Sequence, residues 1–237
     1  SKTYRRSSRL ESLHREKDAA NELLARAPRF RLQGEFIRDQ ALAVSGLLTN
    51  EVGGAGVKPY QPANIWNEVS LNGGLRYRQD KGEKLYRRSM YTYWKRSSPM
   101  PNMLIFDAPS REKCVIQRQR TNTPLQALVT LNDPQFLEAG RVLAQRLIKS
   151  ADRAPAKRID LGYRLATSRP AAKREVEILT RLLNANLERF RKDPESAKKY
   201  LAAGESPRDE SIDPAEHAAW MVVTQTILNL DETLTRN

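Results

Sequence analysis

Arginine and lysine interleaved with tyrosine and tryptophan are the chemistry this sequence offers, and they gather between Leu85 and Gln126. Arg87, Arg88, Lys95, Arg96, Arg118 and Arg120 supply cationic donors there, and Tyr86, Tyr91, Tyr93 and Trp94 supply rings. Residues 76–120 hold twelve Lys and Arg against four Asp and Glu, so they carry eight of the chain's net +13 charges. Two arrangements fit such a run. A guanidinium is planar and weakly hydrated, so it can stack on rings and pair with carboxylates inside the protein. If left unpaired, the same charges form a face that binds anions. Glu35, Asp39, Asp107 and Glu112 are the carboxylates that would decide: pairing with Arg87, Arg88, Arg118 and Arg120 would make those arginines structural. Arg118 is expected to be the more structural, in a helical segment leading to a capped helix. Arg87 is expected to be the more exposed, at the start of a short edge strand.

Other chemistries have less support. Glu35 with Asp39, or Asp107, would be the acids of a polysaccharide-acting enzyme, but glycoside cleavage needs two carboxyls facing each other across a cleft. Nothing local suggests a raised pKa, and no catalytic residue is assigned. With one cysteine and only His14 and His217, the chain has no CxxC, HExxH or CxxCH. No metal site and no cofactor is therefore expected in this segment. Cys114 is expected to pack as a small hydrophobe; exposed, it would feel Arg111, Lys113 and Arg118. Gly53-Gly54-x-Gly56 lacks a preceding strand and a following lysine-hydroxyl pair, so it is a turn rather than a phosphate cradle. A charge of +13 permits nucleic-acid binding, yet no recognised motif supports it.

These residues must be positioned by helices. At 237 residues, 39% hydrophobic and 29% charged, the chain is long and apolar enough to fold around a core, and no run approaches a membrane span. Apolar spacing predicts a mainly α fold with helices near 30–48, 124–131, 134–149, 156–167, 171–191 and 214–230. In the first of these, Arg31, Glu35, Arg38 and Asp39 share the polar face, as a ladder holding that helix against the basic segment. A small β ribbon is expected from 86–94 and 103–106, on aromatic and β-branched content. Residues 1–28 form a basic arm with a helical patch at Ala19–Ala27, and 29–237 form one helical domain. Asn50–Pro62 and Asn72–Gly74 are loops, and Trp66 between them is a core anchor. Thr123-Pro124-x-Gln126, Asp133-Pro134 and Asp213-Pro214-x-Glu216 mark helix starts, the first as a capping box in which the threonine caps and the glutamine reaches back.

Six blocks in order, RLQGEFIRDQALAVSGLL (31–48), a glycine loop ending in KPYQP, YRRSMYTYWKR (86–96), FDAPSREKC (106–114), RTNTPLQALVTLNDP (120–134) and LNLDET (228–233), carry a resemblance. The chain resembles the C-terminal planctomycete-type domain of unknown function found after cytochrome-c-like modules. That resemblance implies the C-terminal, non-catalytic part of a larger exported protein, placed in the periplasm or cell envelope and linked to polysaccharide breakdown. Haem would belong only to an upstream module. Its partners would be an anionic polysaccharide or the upstream domains of the same polypeptide. The resemblance supplies no catalytic residue.

Overall fold

The computed structural model describes residues 1–3, 5–70, 74 and 76–236. Its helices are α1 (Ser12–Lys17), α2 (Gly34–Ser45), α3 (Pro101–Ile105), α4 (Pro124–Asn132), α5 (Pro134–Ile148), α6 (Pro155–Thr167), α7 (Lys173–Lys192), α8 (Pro194–Leu201), α9 (Pro214–Leu228) and α10 (Asp231–Leu234). Two short strands, β1 (Phe30–Arg31) and β2 (Thr235–Arg236), pair antiparallel and tie the start of the helical domain to its end. The mainly α expectation holds. Among the described residues no helix is long and apolar enough to cross a membrane.

The core lies around α9. Ala218, Ala219, Trp220, Met221, Val223, Ile227 and Leu228 are all buried, and α5, α7 and α8 pack around this helix. A helix apolar on every side is one that neighbours enclose. Phe136, Ala139, Leu143, Ala144 and Leu147 give α5 its facing stripe. Gly140 permits the close approach, because a Cβ there would meet the Gln225 Cγ at 2.7 Å. Two smaller clusters lie outside this core: Leu42, Tyr60, Leu85 and Tyr86, and Met100, Met103 and Ala108.

Helix starts follow local signals. Asp133 accepts from the Gln135 N–H at 2.9 Å and Asp213 from the Glu216 N–H at 2.9 Å, as their Asp-Pro pairs predict. Asp193-Pro194 does the same for α8, a helix the sequence analysis passed over. At the other end of α2, Gly46 adopts φ +91° and returns its N–H to Leu42 and Ala43, so the helix stops at Ser45 rather than at residue 48.

Several expectations are corrected. The ribbon at 86–94 and 103–106 does not form: Gly82–Tyr86 and Ser89–Tyr91 are 3-10 turns, and 101–105 is helical from Pro101. Ring-rich composition favours strands only when a partner strand completes the ladder. Here the Leu85 and Arg87 carbonyls are taken by a side chain, and only single bridges form, Thr49 with Arg87 and Val57 with Thr92. Ala19–Ala27 is turns, and the arm's helix lies earlier, at α1. Arg118 sits in an irregular segment, not a helix, and Cys114 is exposed rather than packed. The Gly53–Gly54 turn holds, both residues at φ +83°, whereas Asn72 and Gly73 of the second loop lie outside the described residues.

The capping box at α4 is also overturned. Thr123 makes no side-chain cap, and Gln126 turns inward, fully buried, to donate to the Ile105 carbonyl at 2.9 Å and the Thr121 hydroxyl at 3.0 Å. Thr123→Ala should therefore change stability by less than about 0.5 kcal/mol. Gln126→Ala should cost about 1–3 kcal/mol, because it leaves a buried carbonyl unmet. Denaturant unfolding of the two variants checks the order.

Candidate functional site

The basic, aromatic segment divides into a buried half and an exposed half. At the centre of the buried half is Arg38 of α2, 1% exposed. Its Nε donates to Gln135 Oε1 at 3.1 Å, Nη1 to the Arg87 carbonyl at 2.9 Å and to Ser89 Oγ at 3.1 Å, and Nη2 to the Leu85 carbonyl at 2.7 Å. Asp39 lies 3.6 Å away and accepts from the Ser89 N–H and hydroxyl at 2.7 and 2.6 Å. Burial brings the Arg38 pKa down to about 10, opposed by Asp39, so the group stays charged at neutral pH. This is the predicted ladder in part: Glu35 holds Arg118 at 2.9 Å, whereas Arg31 lies in β1, off the helix, 3.7 Å from Asp231. The main partners of Arg38, however, are backbone carbonyls rather than carboxylates.

Arg87 is corrected from exposed to buried. The Gly53 loop wraps its guanidinium, which donates to the carbonyls of Glu51, Gly53 and Ala55 and lies 4.1 Å from the Tyr91 ring centre. Arg118 is half-buried on Glu35 and Gln33, and Arg120 stacks 4.5 Å from the Phe30 centroid. Tyr91 accepts from the Gly53 N–H, and Tyr86 donates to Glu138 at 2.9 Å. Arg87, Arg118, Tyr86 and Tyr91 are thus spent on the fold, whereas Arg120 stays exposed.

Tyr93, Lys95 and Arg96 face outward, and the structure adds two residues that were not among the candidates, Lys58 and Trp66. The Val57 bridge sets this up, because Tyr93 N–H donates to the Val57 carbonyl at 2.8 Å and brings Lys58 beside Tyr93. Lys58 Nζ lies 5.8 Å from the Trp66 ring centre and 5.3 Å from that of Tyr93; Lys95 Nζ lies 4.8 Å from Trp66. Trp66 is buried, as expected of an anchor, and packs against Tyr77 and Tyr93 at centroid distances of 5.2 and 5.8 Å. In the extended segment 92–95, alternate side chains take opposite faces. Trp94 accordingly turns away, carrying Arg111 at 4.6 Å and donating to the Ser110 carbonyl. Arg96 is exposed and 3.5 Å from Glu112, and Arg88 is exposed. Sequence reasoning missed Lys58 because the backbone bridge that sets it beside Tyr93, thirty-five residues ahead, forms only in the folded chain.

The proposed acids are occupied. Glu35 holds Arg118, Asp39 holds Ser89, and Asp107 accepts from the Thr121 N–H at 2.7 Å and its hydroxyl at 2.9 Å. Among the described residues no group of three or more His, Cys, Asp or Glu side chains is placed to hold a metal ion.

A second buried cluster lies one turn along α5 from Gln135, the partner of Arg38. Glu138, wholly buried, accepts from Tyr86 and from the Ser206 N–H at 2.6 Å, with Arg141 at 3.7 Å. Gly204 must be glycine: a Cβ there would sit 2.3 Å from the Glu138 carboxyl carbon, and φ is +85°. Burial and the neighbouring Glu138 push the Tyr60 and Tyr86 phenols up, which keeps them protonated. His217 lies against the Arg141 carbonyl at 3.0 Å, and burial holds its pKa down, Arg141 and Arg208 adding to the effect.

A family model for "PSD1: Protein of unknown function (DUF1553)" matches residues 1–183. The chain belongs to the DUF1553 family. Residues 184–237 lie beyond the match, although α9 within them forms the centre of the core. Comparison with curated proteins and with solved structures gives no match.

Arg38→Met should cost about 3–5 kcal/mol, since it strips a buried charge from several carbonyls and from Asp39, whereas exposed Arg88→Met should stay within about 0.5 kcal/mol; chemical denaturation separates them. A pH prediction follows from His217. Above its unfolded pKa of about 6.5 the imidazole is neutral in both states. Below that, the unfolded chain takes up a proton that the folded chain resists, so stability falls as pH is lowered. His217→Gln should make the fall between about pH 6.5 and 5 shallower, by up to about 1.4 kcal/mol per pH unit.

Proposed function

We propose that this chain is a non-catalytic module that binds an anionic glycan. In this reading it forms the C-terminal part of a larger exported, cytochrome-c-associated protein of the periplasm or cell envelope, concerned with polysaccharide breakdown. Any haem would sit in an upstream module. The observation that carries the binding part is the pair Lys58 and Lys95, whose ammonium groups lie within 6 Å of one tryptophan ring. The ring's negative face attracts each cation without neutralising it. Two like charges held over one ring gain from an anion between them, and sulfate or carboxylate groups along a sugar chain provide it. Tyr93, partly exposed beside them, offers an edge for a sugar ring.

The alternatives find less support. Glu35, Asp39 and Asp107 are each committed to other partners, which argues against the polysaccharide-acting enzyme reading. Nucleic-acid binding would use the aromatic rings as stacking platforms, but Trp66 is covered by lysines and Tyr86 is buried.

The test compares Lys58→Gln/Lys95→Gln with Lys173→Gln/Lys192→Gln, which removes the same charge from the exposed ends of α7. On a heparin-type column at two salt concentrations, the first pair should lose retention and salt dependence markedly and the second only slightly. Equal losses from both pairs would mean that net charge alone drives retention, and the reading would fail.

A further inference from the structure

α4 is folded with its polar side inward. Its sequence, PLQALVTLN, contains no charged residue. Turned to the protein are Gln126 and Thr130, buried and hydrogen-bonded to Ile105, Thr121 and Asn229, with Val129 packed on the core between them. The residues turned outward are Leu125, Leu128 and Leu131, exposed by 59%, 54% and 37%. Their i, i+3, i+6 spacing puts them in one row. A surface helix normally does the reverse, because burying leucine is what holds it to its core. At the end of the row Leu131 lines a groove of about 320 Å³ together with Phe190, Tyr200 and Val222. Arg189 stands at that groove, its guanidinium 5.4 Å from the Phe190 ring centre, and no carboxylate lines it.

We propose that this face docks an amphipathic, acidic helix of a partner protein. An apolar row opening into a groove is the counterpart of a helix with apolar residues at i, i+3, i+4 and i+7. The charge decides which kind of helix. Arg189 borders the groove, and the segment entering α4 adds the exposed Arg111, Lys113 and Arg120, while Arg118 is held by Glu35. A second copy of α4 brings no carboxylate to Arg189, so a homodimer through this face leaves the arginine unmatched. The surface is separate from the lysine and tryptophan cluster and does not depend on the glycan reading.

The probe is a labelled three-heptad peptide with leucine at the a and d positions and glutamate elsewhere, beside the same peptide with lysine for glutamate. Fluorescence anisotropy with the intact chain should show saturable binding of the glutamate peptide and none of the lysine peptide. Leu125→Ser/Leu128→Ser should weaken binding about tenfold or more with the melting temperature unchanged or raised, since neither leucine is part of the core. Arg189→Glu should weaken the glutamate peptide and strengthen the lysine one. Absence of binding, equal binding of both peptides, or undiminished binding by the serine variant would overturn the proposal. So would sedimentation showing a wild-type dimer that the serine substitutions split, which would make a second copy the occupant.

Discussion

A guanidinium with almost no contact with water is the constraint around which this protein is arranged. An isolated charge in a protein interior is costly, and it is tolerated only where neighbours replace the water it gave up. Arg38 meets that condition with two carbonyls, a hydroxyl and an amide, drawn from 85–89 and from α5. Its partners are therefore fixed in space together. With the Leu85 and Arg87 carbonyls spent in this way, 85–94 follows tight turns rather than a sheet, and Arg87 is delivered into the glycine loop. The loop in turn places Val57, and Val57 places Lys58 against Trp66.

The helical half has its own polar tie in Glu138, Arg141 and His217, which link α5 to α9 and to the 203–206 loop. Such groups add less to net stability than apolar residues of similar shape would. They do specify which loop lies where, since Gly204 is the only residue type that can lie against Glu138. Tyr86 joins the two halves, for its ring lies in the Leu42 cluster while its hydroxyl serves Glu138. The basic segment is thus anchored along one face of α5, through Arg38 on Gln135 and Tyr86 on Glu138.

Cations in this chain act in three different ways according to burial. Arg38 and Arg87 are enclosed by carbonyls and hold the fold. Arg118 is half-exposed on Glu35, where solvent screening leaves little net energy. Lys58 and Lys95 rest on a ring, retaining their charge at the surface. Composition alone treats these as one run of positive charge.

The sequence by itself determined the features that depend on a few neighbouring residues. Asp133-Pro134 and Asp213-Pro214 start helices because the cap reaches only two or three residues ahead, and the apolar periods of α5, α6 and α7 show which face must be covered. Five of the six sequence blocks lie within the family match at 1–183, and Trp66 was legible as an anchor. Tertiary structure decided the rest. Gln126 has the right spacing for a capping box, yet a carbonyl at Ile105 outbids the cap for its amide. Ring-rich 86–94 has strand composition but no strand to pair with. Arg87 was expected at the surface because the three carbonyls that enclose it lie more than thirty residues away. The leucines of α4 face outward because Gln126 and Thr130 have buried partners at Ile105 and Asn229. In each case the deciding group lies far along the chain, where only the folded arrangement brings it within hydrogen-bonding reach.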